Sequence, residues 1–201
     1  MLFIKSKNNK PDMDIKLPIH LFTVEEYHRL AENGILHEDD RVEFLEGRIV
    51  DMTPIGSKHA SCVGRLTSMF FEKIQKRAIV QVQNPVILHE QSEPQPDIML
   101  LKYRDDFYAE RHPGPKDILL LIEVTDSSLE YEKKVKIPLY AKADILEVWL
   151  VNLVEKTLEV YRSPIQDGYE IVTKLFHTQS VSPQKFPDIN LKVADILGIS
   201  Q

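Results

Sequence analysis

The chain has 201 residues, 43% hydrophobic and 28% charged, a globular composition with enough length to bury a core. A formal net charge of −6 excludes a globally basic surface, so contact with nucleic acid needs a local patch or bound cations. The lone cysteine, Cys62, excludes an internal disulfide and a cysteine-based zinc site, and no apolar run approaches the roughly 18 residues of a membrane span.

Residues 1–18 are polar, contain Pro11 and Pro18 and show no periodicity; they read as a flexible arm ahead of one domain over 19–201. The start lacks a signal-peptide apolar region, which predicts a cytoplasmic protein. "TVEEYHRLAENG", 23–34, predicts a short helix with a Thr23/Glu26 capping box and Gly34 at its stop. "RVEFLEGRIVDM", 41–52, predicts a hairpin turning at Glu46-Gly47. Over 57–77, Val63, Leu66, Phe70 and Ile74 mark one helical face.

Strands are expected at 79–89, interrupted by Asn84-Pro85, and at 97–101 and 118–124, with the long connection 102–117 between the last two. A helix over 129–143 is expected to open on a Ser127/Glu130 capping box and to kink or restart at Pro138. Strands at 146–152, 157–162 and 169–175 follow, and Trp149 reads as core. This order predicts an α/β fold with a central sheet, helices packed on it and a C-terminal antiparallel extension.

Two acids stand out. Asp97 opens the strand in "PQPDIML", and Glu123 interrupts the apolar run "LLLIEV". An ionised carboxylate buried without a cation or several donors is very costly. If the two strands pair, both carboxylates converge near one end of the sheet. Such a pair, with no Cys or His cluster beside it, suits Mg²⁺ or Mn²⁺ better than zinc, and the Val124 carbonyl could add an oxygen ligand. In the next helix Glu132, Lys136 and Tyr140 recur at i, i+4, i+8 and share a face. Lys136 is the lysine placed to reach the acids.

The segments "FTVEEYHRL", "RVEFLEGRIVDMTPIGSKH", "PQPDIML", "LLLIEVTDSS" and "KIPLYAKADILEVWLV" resemble the Uma type of restriction-endonuclease-like protein within the PD-(D/E)xK nuclease superfamily. The likeness spans roughly residues 20–197. It implies a restriction-endonuclease-like mixed sheet and metal-dependent DNA cleavage by Glu43, Asp97, Glu123 and Lys136. Asp97, Glu123 and Glu43 would serve the metal, with His59 and Tyr140 in support. It also implies a homodimer, each copy cutting one strand. The superfamily's lysine would fall at Thr125; in this family it has moved to the following helix, at Lys136.

Plainer readings stand beside these. Glu123 and Lys136 would simply neutralise each other in a nuclease-fold protein that binds nucleic acid or assembles without catalysis. Glu43 fits a half-exposed hairpin strand, His59 fits a hydrogen-bonded core position, and Tyr140 fits a core residue whose hydroxyl orients Lys136. "ERHPGPK", 110–116, fits a solvated loop as well as a phosphate track. A carboxylate-pair glycosidase finds few aromatics near the acids, only Tyr103, Phe107 and Tyr108.

Overall fold

The computed structural model describes residues 18–37 and 39–199. The arm expected over 1–18 lies outside the described residues, except Pro18. Helix α1 (Val24–Glu32) carries the Thr23/Glu26 capping box. Strands β1 (Val42–Leu45) and β2 (Arg48–Asp51) form the expected hairpin. Its two-residue turn holds both Glu46 and Gly47 at positive φ, 49° and 73°, the backbone that matches strand twist. A Cβ at Gly47 would lie 2.6 Å from Leu21 Cβ, so the close approach also requires glycine.

Helix α2 spans Ser57–Ile74, and a 3₁₀ turn at Gln75–Arg77 completes the predicted segment. Strand β3 (Ala78–Val82) is shorter than the expected 79–89. Gln83 leaves the strand with φ of 51°, and Pro85 has no N–H to continue a ladder. Strands β4 (Ile98–Lys102), β5 (Ile118–Thr125), β6 (Glu147–Asn152), β7 (Thr157–Ile165) and β8 (Gly168–Phe176) complete a six-stranded sheet of order β3-β4-β5-β6-β7-β8. Only β5 and β6 pair in parallel; the other neighbours are antiparallel. A second small sheet joins β9 (Ser180–Val181) to β10 (Leu191–Lys192), before α5 (Val193–Leu197). The mixed α/β sheet with its antiparallel extension is therefore the one the sequence predicts.

Both faces of the sheet are covered, which explains the nearly continuous apolar run of β5. Leu66, Phe70 and Ile74 of α2 pack with Ile98, Leu100, Leu120, Ile122 and Ile196 on one face. Met99, Leu101, Leu121 and Val148 pack with Ile137 and Tyr140 on the other. Strand alternation then aims Glu123 at the second face, towards the β5–β6 crossover.

That crossover departs from the expected continuous helix. Helix α3 is only Leu129–Tyr131, Glu132–Lys136 forms a π turn, and α4 runs Ile137–Lys142. The N–H of Ile137 reaches back five residues to the Glu132 carbonyl. Pro138 has no N–H and its ring crowds the preceding turn, so the wider turn lets the helix restart there. The predicted Ser127/Glu130 capping box is not made. Ser128 is the N-cap, and its N–H instead donates to Thr125 Oγ1 at 3.1 Å.

Trp149 is fully buried, lies tilted against Phe70 with centroids 6.2 Å apart, and donates Nε1–H to Glu147. Trp149→Ala should lower unfolding free energy by about 3–5 kcal/mol. Urea unfolding followed by far-UV circular dichroism measures this; a loss below about 1 kcal/mol would contradict the packing described.

Candidate active site

The β4–β5 register pairs Ile98 with Ile122 and Met99 with Leu121. Continued one residue, it sets Asp97 opposite Glu123. The two acids are laced across this strand end. The Asp97 N–H donates to Glu123 Oε2 at 3.3 Å, and the Val124 N–H donates to Asp97 Oδ2 at 2.9 Å. Each carboxylate is thus held by the other strand's backbone.

Side chains complete the fixation of Asp97. His59, on the first turn of α2, places Nε2 2.9 Å from Asp97 Oδ2. Gln83 donates its amide to Asp97 Oδ1 at 3.2 Å and its backbone N–H to the Asp97 carbonyl at 3.1 Å. The left-handed backbone of Gln83, uncommon for a residue other than glycine, turns that side chain back onto the acid. The hydrogen bond to Asp97 raises the His59 pKa above its ordinary value, against the effect of burial. His59 therefore faces the acid cluster while its Nδ1 is buried without a partner.

Lys136 projects from the π turn between two glutamates. Its Nζ lies 3.2 Å from Glu123 Oε1 and 3.1 Å from Glu43 Oε2. All three residues are buried, so Glu43 is not the half-exposed strand residue its alternation allowed. Tyr131 donates its hydroxyl to Glu43 Oε1 at 3.1 Å. Tyr140 is fully buried and donates to Glu123 Oε1, so its hydroxyl orients the acid and not Lys136. Burial pulls the Lys136 pKa down, yet Glu123, Glu132 and Glu43 together hold it well above its ordinary value. The amine stays charged.

Three residues of this cluster were not singled out as site residues in the sequence. Gln83 lies inside the expected strand 79–89 as an ordinary strand residue, and Tyr131 reads as an ordinary helix residue. Glu132 did carry a signal, its i, i+4, i+8 alignment with Lys136 and Tyr140. It is buried, accepts from Ser128 Oγ at 3.4 Å, and its Oε2 has no hydrogen-bond partner. A cavity of about 320 Å³ opens over the cluster. Glu43, Asp51, Asp97, Glu123, Asp126 and Glu132 line it against only Arg41, Lys136 and His59 as basic groups.

The anionic excess shows in the acids themselves. Burial pushes the Glu123 carboxyl up to about 7, with Asp97 and Glu43 adding to the effect and Lys136 opposing it. Burial, then the charge of Glu123, pushes Glu132 up to about 8. Both groups bind protons in the folded chain that the unfolded chain has released by pH near 4.5. Their stabilising contribution is full below that value and is lost as pH rises through about 7 and 8. The metal-free protein should therefore show a lower urea midpoint at about pH 8.5 than at about pH 6. An equal or higher midpoint would contradict it.

The lining suits a hard divalent cation: it is rich in carboxylate oxygens, Glu132 Oε2 is buried without a hydrogen-bond partner, and the cavity is short of positive charge. Among the described residues, no three acids of this cavity bring ligand atoms within 4.8 Å of one another. Two carboxylates with water completing the shell is the usual arrangement for Mg²⁺. Glu43, expected to contact the metal directly or through water, lies beside Lys136 at 3.1 Å and accepts from the Tyr131 hydroxyl.

The model of the Uma2 family, described as "Putative restriction endonuclease", matches residues 24–194. The chain belongs to the Uma2 family. Its fold is similar to that of an Anabaena variabilis protein described as "a putative nuclease belonging to DUF820". The two are 18% identical with a TM-score of 0.69, over 90% of this chain and 98% of that one. No curated protein matches the chain. Both the family resemblance and the restriction-endonuclease-like fold class read from the sequence are thereby shown. In this Uma2 chain the position two residues after Glu123 is Thr125, whose hydroxyl is engaged with Ser128 at 3.1 Å. The amine beside Glu123 comes from the π turn. No helix among the described residues is long and apolar enough to cross a membrane.

Proposed function

We propose that this Uma2-family chain is an endonuclease that hydrolyses phosphodiester bonds in DNA, using Mg²⁺ or Mn²⁺ held by Asp97 and Glu123. The observation that carries the reading is the pairing of these two acids across β4 and β5, with Lys136 buried beside Glu123. A bound ion would lower the pKa of a coordinated water and offset charge on the phosphate.

The chain's own groups prepare that chemistry. The Val124 N–H, Gln83 and His59 fix the Asp97 carboxylate, and Tyr140 and Lys136 fix Glu123. Lys136 carries three N–H donors; two face the glutamates, and the third can hold a water or a phosphoryl oxygen for in-line attack. Glu43 sets the amine's position from the hairpin, and Tyr131 sets Glu43. The net negative charge makes DNA binding depend on the divalent ion and local basic groups, and two copies would allow both strands to be cut.

A non-catalytic reading draws on one observation, that Lys136 already neutralises two buried glutamates. Incubation with supercoiled plasmid in Mg²⁺ or Mn²⁺ separates the two. Nicking or linearisation that ethylenediaminetetraacetate abolishes supports the nuclease; an intact plasmid at stoichiometric protein with either ion overturns it.

A further inference from the structure

A second cluster of chemically competent side chains lies away from the acid cavity. His28 projects from α1, Glu93 lies on the segment entering β4, and His112 lies in the 102–117 connection. Their ligand atoms all fall within 4.8 Å of one another. His28 Nε2 is 2.7 Å from Glu93 Oε2, and His112 Nε2 is 3.9 Å from Glu93 Oε1. Among the described residues no other trio of His, Cys, Asp and Glu meets so closely.

The carboxylate is the unusual member. Glu93 is 4% exposed, whereas the histidine side chains are 40% and 44% exposed. Its two oxygens face one imidazole each, and a buried carboxylate requires a positive partner. Arg111, the residue before His112, is engaged elsewhere: it pairs with Asp117 at 2.9 Å and lies over the Tyr108 ring. The two imidazoles meet edge to face, with centroids 6.1 Å apart at 66°.

We infer that His28, Glu93 and His112 form a three-ligand site for a divalent transition metal of the zinc class, separate from the Asp97–Glu123 site. Two imidazole nitrogens and one carboxylate oxygen are zinc donors, and Mg²⁺ prefers oxygen. Ligand atoms about 2.1 Å from a tetrahedral centre lie roughly 3.4 Å apart. The trio's ligand atoms, one from each residue and all within 4.8 Å of one another, lie near that spacing, and the exposed histidine side leaves room for a water as fourth ligand.

The consequence is mechanical. Glu93 exchanges backbone hydrogen bonds with Phe44 at 2.7 and 3.4 Å, and Phe44 stacks on Tyr27 with centroids 4.8 Å apart. Phe44 adjoins Glu43, and Glu93 leads through "PQP" to Asp97. The Val24 N–H already donates to the Glu90 carbonyl at 2.7 Å and the Ile87 N–H to the Pro113 carbonyl at 3.0 Å; a metal at the trio would add a side-chain tie between α1, this bridge and the long connection.

The test uses the full chain, stripped of metal and held in excess Mg²⁺ so that the hard-oxygen site is occupied. Zinc titrated by calorimetry, and Co²⁺ followed by its visible absorption, should each bind at one equivalent, and zinc should raise the melting temperature. His112→Ala alters an exposed loop side chain and should leave the metal-free melt unchanged. It should weaken zinc binding by at least about 100-fold, more than loss of an outer-shell partner costs, and remove the zinc-induced rise. Asp97→Ala should retain both. No stoichiometric zinc binding, zinc binding unchanged in both His112→Ala and His28→Ala, or zinc binding lost only in Asp97→Ala would each overturn the site.

Discussion

Lys136→Met should destabilise the metal-free protein by about 3–5 kcal/mol at neutral pH, the usual cost of stranding a buried charge. Methionine keeps most of the volume, so packing is not the cause. Glu43 and Glu123, 3% and 2% exposed, would share one cavity with no cation between them. Glu123 could escape only by holding a proton, and its carboxyl already sits near 7. The loss should therefore shrink as pH falls towards about 5, where a neutral Glu123 needs no amine. Urea midpoints of wild type and variant at two pH values measure both parts. A variant as stable as wild type at neutral pH would contradict the ion-pair account of this lysine. Added Mg²⁺ should recover part of the loss, because the ion supplies the missing positive charge.

Asp97→Ala should reduce plasmid nicking by at least about 10³-fold while the protein stays folded. Removing one preorganised electrostatic group from a reaction centre costs about 10²–10³-fold, and a lost metal ligand removes the ion's contribution as well. The stability cost is smaller. The Val124 N–H and the Gln83 amide lose an acceptor, worth about 1–3 kcal/mol, and His59 is freed from its carboxylate. Nicking assayed well below the variant's melting temperature separates chemistry from unfolding. Activity that survives the substitution would remove Asp97 from the site.

The acids were legible because burial makes them conspicuous: a glutamate inside "LLLIEV" demands a partner, and strand alternation says which way it points. Asp97 was weaker as a lone signal, since Pro-Asp recurs at 187–188, where Asp188 merely pairs with Arg77 at the surface. What joined the two acids was the β4–β5 register, a long-range fact that local pattern does not contain. The π turn was half visible. Pro138 announced a break, but the kind of break depends on how Glu132, Lys136 and Tyr140 are pulled onto Glu123. Tyr140 was read as the lysine's partner because i+4 spacing puts them side by side; in the fold its hydroxyl reaches the more demanding neighbour, the carboxylate. Gln83 left no trace in pattern or propensity. Its role follows from a left-handed backbone at a strand end, which only the assembled sheet imposes.

The central claim is that Asp97 and Glu123 together bind a hard divalent ion. Crystals soaked in Mn²⁺ and measured at a wavelength where manganese scatters anomalously test it directly. The account predicts a peak in coordination contact with both carboxylates. A soaked crystal with no peak there, or with manganese bound only at other residues, would contradict it.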